Sequence, residues 1–523
     1  MPNDFPSGAE LSRTAQSIQS NRARKLATLI AVCVSTFMLP LDYTVVAVAL
    51  HAIQGDLSAN FEALQWIVNG YTLTFAAFLL AGGALADIFG RRRIFVIGMA
   101  LFALSSLGCG LAPNTLILNI ARGIQGVGAA VMFSAALPLL VHEFSGPERA
   151  KAFGIFGAVV GIGAALGPFL GGLIISAFGW RWAFLINVPV TVALIFVAIK
   201  WVGESAEVNA HKVDWAGTVT FTAACFVLVY ALISGNDMGW RSTQIVASLV
   251  GAIALFIIFV AIESRRIYPM FDVSLFRQAV FVGASIPPVA LSIAFWGLFL
   301  YFPLYYQSAL GYSPLQAGAA VLPFAIPLFF MGPVGGRLAT RISSRALLSL
   351  GQALVGIGSL LLLMSTVESS WSAFIIGALV SGSGTGLING EMSNVAMGLV
   401  PPERSGMASG ISGTMRQVGV ALGFAGLGAI LASRTGSVFA ELAAHANWVP
   451  TNLSALAEHV RQGDFQGGAA LVDPDKRSTF IQIARASLYS AFMTISKVAG
   501  AVGLGGSLLT YWLMGVKPSA VKK

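Results

Sequence analysis

Charge is the scarcest property of this chain: Asp, Glu, Lys and Arg make up 10% of its 523 residues, while hydrophobic residues make up 56%. A domain that faces water on all sides carries roughly 25% charged residues, so the composition excludes a soluble globule and implies a polytopic membrane protein. Cysteine is nearly absent. Cys33, Cys109 and Cys225 each lie inside an apolar stretch, which excludes a disulfide framework and a thiolate metal site. The five histidines, His51, His142, His211, His445 and His459, are dispersed without ligand spacing, so neither a metal nor a hydrolytic centre is expected. No Gly-x-x-x-x-Gly-Lys-[Ser/Thr] loop occurs. The nearest dinucleotide-like string, Gly161-Ile-Gly-Ala-Ala-Leu-Gly167, sits in the middle of an apolar helix and reads as close helix packing. No cofactor and no enzymatic activity are expected. The net charge of +9 is spread in single bases and short clusters, which argues against a nucleic-acid partner and for membrane orientation.

What the chain has in abundance is apolar segments of spanning length. About 20 apolar residues are needed per crossing, and fourteen helices are expected, at 26–50, 63–86, 94–112, 115–141, 151–178, 182–202, 214–234, 243–263, 279–306, 314–338, 346–366, 372–399, 405–433 and 486–514. Residues 1–25 are polar and lead into an apolar run too long for a signal-peptide core, so the N-terminus is expected to be retained. With an even count both termini share a side. Segments on that side carry 21 of the 31 basic residues and the opposite segments carry seven, which puts the termini in the cytoplasm of a cell with an inner membrane. The lipid bilayer is thus one expected partner, and a monomer is the expected unit.

The two halves repeat each other. Gly83-Ala-Leu-Ala and Gly336-Arg-Leu-Ala are separated by 336 − 83 = 253 residues, and Pro147-Glu-Arg149 and Pro402-Glu-Arg404 by 402 − 147 = 255. An even number of spans lies between the copies, so they share one orientation. The expected organisation is a cytoplasmic tail (1–25), a six-helix bundle (26–202), a linker holding two extra helices (203–278), a second six-helix bundle (279–514) and a short tail (515–523). A hydrophilic stretch at 434–485 is expected on the outside, where Leu453, Leu456 and Val460 recur at helical spacing as an amphipathic cap.

Ionisable groups inside the spans are the leading functional residues, because each needs a partner or a cavity. At 1.5 Å per residue, Asp42 lies roughly 24 Å into helix 1 from the inner end, and Arg122 roughly 10 Å into helix 4 from the outer end. Their matching depths allow a pair, and a proton arriving at Asp42 would release the arginine. A static ion pair between helices is the alternative. By the same measure Glu391 on helix 12 and Arg416 on helix 13 lie roughly 13 and 16 Å from the inner face, so contact between them is plausible. Glu391 is equally placed to meet a cationic substrate or a second proton.

Several strings carry a family resemblance. Gly83-Ala-Leu-Ala-Asp-Ile-Phe-Gly-Arg-Arg-Arg93 resembles the signature loop between helices 2 and 3 of the major facilitator superfamily. Leu41-Asp-Tyr-Thr-Val-Val-Ala-Val-Ala-Leu50, Arg122-Gly-Ile-Gln-Gly-Val-Gly128, Gly163-Ala-Ala-Leu-Gly-Pro-Phe-Leu-Gly-Gly172, Trp180-Arg-Trp-Ala-Phe-Leu-Ile-Asn-Val-Pro189 and Arg416-Gln-Val-Gly419 resemble motifs of its 14-helix drug:proton antiporter branch. The resemblance implies an all-α fold of two pseudo-symmetric six-helix bundles with two extra central helices. It implies proton transfer involving Arg122, and a conformational gate formed by Gly83, Asp87, Gly90 and Arg91 with the helix 5 residues Gly163, Gly167, Pro168 and Gly171. By analogy Asp87 would meet the helix opening at Pro402 to Ser405. Trp66, Asn69, Tyr71, Phe133, Trp296, Tyr301, Tyr305 and Gln307 are the residues expected to line an apolar chamber, together with Glu391.

The expected function is proton-driven export of small amphipathic, cationic compounds by alternating access. A proton-coupled or facilitative carrier of one metabolite, and a transporter-like receptor without flux, are the alternatives.

Overall fold

The computed structural model describes residues 8–206, 213–266, 269, 271–400, 405–446 and 453–516. Thirteen helices are long and apolar enough to cross a membrane, and a fourteenth crossing is made by a bent pair. In chain order the crossings are α1 (Gly8–Leu57), α2 (Phe61–Phe89), α3 (Arg91–Gly110), α4 (Thr115–Glu143), α5 (Gly146–Phe178), α6 (Trp182–Trp201), α7 (Trp215–Met238), α8 (Thr243–Glu263), α9 (Ala279–Leu310), α10 (Pro314–Ala320 with Leu322–Leu338), α11 (Ser344–Met364), α12 (Trp371–Gly398), α13 (Ser405–His445) and α14 (Arg477–Leu513). The start of α1 and the end of α14 therefore lie on one face, called here the terminal face. The opposite one is the far face.

Local chemistry explains where the helices begin. Asn60, Asn114, Asp214, Ser242, Ser313 and Ser343 each accept a hydrogen bond from a backbone N–H in the first turn of the helix that follows. At Ser313 the bond is reciprocated by Gln316 in a capping box.

Three expected helices differ from a plain span. The crossing at 279–306 contains a π-helical segment, Ser292–Gly297, just after Pro287 and Pro288, which supply no backbone donors to the helix. The crossing at 314–338 bends by 41° at Val321. The crossing at 372–399 is interrupted at Asn389 and Gly390, both poor helix formers, leaving Ile375–Ile388 and Glu391–Gly398 on either side. The helices at 405–433 and 486–514 are also longer than expected. They run to His445 and from Arg477, so much of the hydrophilic stretch at 434–485 is helical extension. Two short cap helices, Leu453–Gln462 and Phe465–Ala470, occupy part of the rest, and Leu456 and Val460 are fully buried against the main core.

The packing repeats between halves. In the first, α1 lies on α5, α2 and α3 on α4, and α3 on α6; in the second, α9 lies on α13, α10 and α11 on α12, and α11 on α14. The halves meet along α2 with α13 and along α5 with α10, and α7 packs on both α2 and α13. On α8, Val246, Val250, Ile253 and Ile257 stay exposed, as suits a surface whose solvent is lipid.

Candidate functional site

The buried centre of the first half is polar. Asp42 on α1 and Arg122 on α4 form an ion pair at 2.5 Å, and neither side chain is accessible. Gln125 lies one turn beyond Arg122, so both face α1. Its Oε1 accepts from Arg122 Nη1 at 2.7 Å, and its Nε2 donates to Asp42 Oδ1 at 3.0 Å. Asn187 of α6 donates to the same Asp42 oxygen at 3.0 Å and to Ser106 of α3 at 3.1 Å, and Gln125 also reaches Ser106 at 3.2 Å. Arg122 Nε donates to the Ile67 carbonyl at 2.9 Å, and the guanidinium carbon lies 4.2 Å from the centroid of the Tyr71 ring. Five helices thus converge on one charge pair. One guanidinium nitrogen, Arg122 Nη2, is buried without a hydrogen bond.

Depth along the helices puts Asp42 and Arg122 at one level, and the structure joins them. It does not join Glu391 to Arg416. Glu391 accepts from the Ser344 hydroxyl at 2.6 Å, at the first turn of α11, whereas Arg416 donates to Asn389 Oδ1 at 3.3 Å. The physical reason is the interruption of α12: Asn389 lies within it and Glu391 opens the segment after it, so the two neighbours take different partners.

At the signature loop Asp87 pairs with Arg91 one turn later, at 2.9 Å. The helix start at Pro402 to Arg404, to which Asp87 is matched by analogy, and the side chain of Ser405 lie outside the described residues. A residue missed in the sequence completes the loop. Glu204, just after α6, accepts from the backbone N–H groups of Arg92 and Arg93 at 3.0 and 3.3 Å and so caps α3 from outside its own chain neighbourhood. Its carboxylate also lies 3.6 Å from Arg92 Nε and 3.7 Å from Arg93 Nε. Gly90 has φ = 102°, which favours glycine, and a Cβ there would lie 2.7 Å from a Glu204 oxygen, so the capping carboxylate would have to shift. Gly83 has open space around it: a Cβ added there would meet only Ser134, at 4.0 Å.

Helix α5 is a close-packing surface. A Cβ on Gly163 would lie 2.8 Å from the Phe37 carbonyl oxygen and one on Gly171 would lie 2.9 Å from Val45 Cα, while at Gly167 it would collide with Thr44. The backbone of Pro168 in turn receives Gly318 of α10, and Gly172 faces Pro314 and Leu315. This is close approach through small residues between α1 and α5 and between the two halves.

The expected chamber residues separate into groups. Tyr71 lies under Arg122 and beside Phe75, and Phe133 packs on Phe75 at 5.9 Å. Trp66 stacks on Phe226 of α7 at 6.0 Å. Trp296 meets Tyr43 of α1 at 6.0 Å, across the space between the halves. Tyr301 accepts from Gln65 at 3.1 Å and Gln307 donates to the Val48 carbonyl at 3.0 Å, and these two bonds tie the halves together towards the far face. Tyr305 is enclosed by Tyr306, Phe374 and Phe492 in the second half. Asn69 is fully buried, and neither amide atom has a partner. Among the described residues no three His, Cys, Asp or Glu side chains converge as metal ligands would.

Gln125 and Asn187 also carry no assignment from sequence, although both stand in the quoted motifs. Amides inside apolar helices give the same signal as charges, because each must find a buried partner.

The sequence profile of the Major Facilitator Superfamily matches residues 32–424. The chain belongs to that superfamily. Among its relatives, the multidrug resistance protein Stp of Mycobacterium tuberculosis is 38% identical over 78% of this chain and 76% of its own length. The tetracenomycin C resistance and export protein of Streptomyces glaucescens is 32% identical over 99% of this chain and 96% of its own. A bacterial homologue of the human lysosomal transporter Spinster, solved in an inward-facing, unoccupied conformation, superposes with a TM-score of 0.61 at 16% identity, covering 95% of this chain and 99% of that one. This major facilitator protein thus shares the fold of solved transporters and is similar in sequence to resistance and export proteins.

Proposed function

We propose that this major facilitator protein exports amphipathic toxic compounds across the cytoplasmic membrane in exchange for protons, with its terminal face in the cytoplasm. The single observation that carries the coupling is the sealed Asp42–Arg122 pair. Its relatives' names, multidrug resistance and export, support the direction and the class of cargo.

The chemistry follows from burial. Ionised Asp42 neutralises Arg122 in a place without water, and removing one charge of such a pair leaves the other uncompensated at a penalty of several kcal/mol. A proton that reaches Asp42 does this. Arg122 then keeps the Ile67 carbonyl, the Gln125 amide oxygen and the Tyr71 ring, but it loses its counter-ion. Relief comes from rearranging α1 against α4, and α1 slides where Gly163, Gly167 and Gly171 of α5 offer no side chain. Because α5 also carries the contact with α10, that movement reaches the second half. The far-side bonds Gln65–Tyr301 and Gln307–Val48 break as the outside opens. Each charge crossing 100 mV supplies about 2.3 kcal/mol, to which a pH gradient adds, so the drive is sufficient for uphill export.

The test uses purified protein in proteoliposomes. Addition of a substrate to the detergent-solubilised protein releases protons, and an imposed pH gradient drives accumulation of that substrate. A receptor or scaffold would do neither, and a carrier of one metabolite would ignore a panel of unrelated amphipaths.

A further inference from the structure

Arg416 is a mid-span charge whose expected partner, Glu391, is bound elsewhere. It lies 11 residues beyond the start of α13 at Ser405, roughly 16 Å from the terminal end. Among the described residues it forms no ion pair. Its only hydrogen bond there is the long one to Asn389, and its Nε is buried without a partner. Glu391, the acid expected beside it, is engaged by Ser344.

The direction of Arg416 follows from its neighbours on the helix, where successive residues turn by about 100°. Gly419 and Gly423 abut Val289, Ser292 and Ile293 of α9, Gly410 and Gly413 abut Leu80 and Leu79 of α2, and Val418 and Leu422 pack with the α7 cluster. Position 416 falls between the α9 side and the α2 side, away from α7. The half-buried guanidinium therefore faces the space between the two halves and not lipid. Two further hydroxyls without partners, Ser412 one turn earlier on α13 and Ser292 on α9, are themselves buried on that flank.

A guanidinium held at mid-span is unfavourable by at least a few kcal/mol unless an anion or a cavity compensates it. Its planar donors suit a carboxylate bound through two oxygens. The geometry points to Arg416, assisted by Asn389, as the group that receives an acidic oxygen of the exported compound. The substrate class is then amphipaths that carry a carboxylate or phenolate, anionic or zwitterionic, in place of the purely cationic class expected from Glu391. This rests on the export reading above and names the substrate chemistry for it.

The experiment uses the full chain in proteoliposomes with two probes, a rhodamine bearing a free benzoate and the methyl ester of the same dye. Wild-type protein binds the free acid about 10-fold more tightly than the ester, the preference one charge-assisted bidentate contact provides. In Arg416→Gln the two probes bind within about 2-fold of each other, with the loss confined to the acid, and Arg416→Lys retains part of the preference. Equal affinity of wild-type protein for acid and ester overturns the assignment, and that measurement needs no variant to fold. Equal weakening of both probes in Arg416→Gln also overturns it. Export of the ester without any preference for the acid sinks the anion assignment alone, whereas export of neither probe sinks the export reading.

Discussion

The two halves share a packing plan and differ in what fills it. In the first half Asp42, Arg122, Gln125, Ser106 and Asn187 form one hydrogen-bonded network from four helices, with Ile67 and Tyr71 supplied by a fifth. In the second half the corresponding core is aromatic. Adding the repeat offset to Asp42 gives 42 + 253 = 295, and Phe295 sits there among Trp296, Phe299 and Phe324. Adding the two offsets to Arg122 gives 375 and 377, occupied by Ile375 and by Gly377, which packs against Gly358. Deeper in the same half Phe302 contacts Phe324 at 4.5 Å and Phe492 at 4.9 Å. On the proposed coupling a single proton acts on the first half, because its centre is held by charge. The aromatic centre of the other offers no such handle, because it is held by shape and apolar area, which do not titrate in the physiological range.

Removal of the proposed proton-binding group tests this contrast most severely. Asp42→Asn is expected to lower gradient-driven export by about 100-fold or more, the scale on which an uncompensated buried charge acts. Exchange of substrate down its own gradient should persist. Flux measured in proteoliposomes with and without a pH difference checks this, and undiminished uphill export would end the assignment of Asp42.

The second-half counterpart is Phe302→Ala, which empties a fully buried ring site. It is expected to destabilise the protein by about 3–5 kcal/mol, read as a lower melting temperature, while the pH dependence of residual transport is unchanged. The opposite pattern is expected for Gln125→Leu in the first half, where the pH profile shifts more than the melting temperature. A shifted pH profile in Phe302→Ala would show that the aromatic core also takes part in coupling.

A smaller effect is expected at the signature loop. Gly90→Ala forces a side chain into a left-handed backbone, at about 1–2 kcal/mol, and against Glu204. Glu204→Gln should weaken the cap of α3 by about 0.5–2 kcal/mol and slow turnover with substrate affinity retained. Transport rates at saturating and limiting substrate separate those two parameters. The smallest change is expected from Asp56→Asn, which breaks a half-exposed pair with Arg181 on the far face and should alter stability by no more than about 1 kcal/mol. A large loss there would mean that the far face contributes to gating.

Much of the molecule was legible from the chain. The fourteen crossings, the internal repeat and the Asp42–Arg122 pair follow from segment length, residue offset and depth, all of which count along one helix at a time. The α5 glycines were legible for the same reason. Their partners Phe37, Thr44 and Val45 were not, because which helix lies against a glycine face depends on the fold. Gln125 and Asn187 stood within recognised strings, yet their roles appeared only when α3, α4 and α6 were brought around Asp42. Glu204 had no local signal, since the N–H groups it caps lie 112 and 111 residues away.

Membrane insertion, the number of crossings, the duplication and the identity of the buried charges all follow from the chain read one segment at a time. Hydropathy and period are properties of single segments, and a buried charge is conspicuous wherever it occurs. Which charge meets which is a matter of how the helices pack. Depth along a helix places Glu391 and Arg416 within a few ångströms of each other, but contact also needs a continuous α12 that aims the acid at α13. The interruption at Asn389 and Gly390 turns the acid to Ser344 and leaves the arginine to the interior.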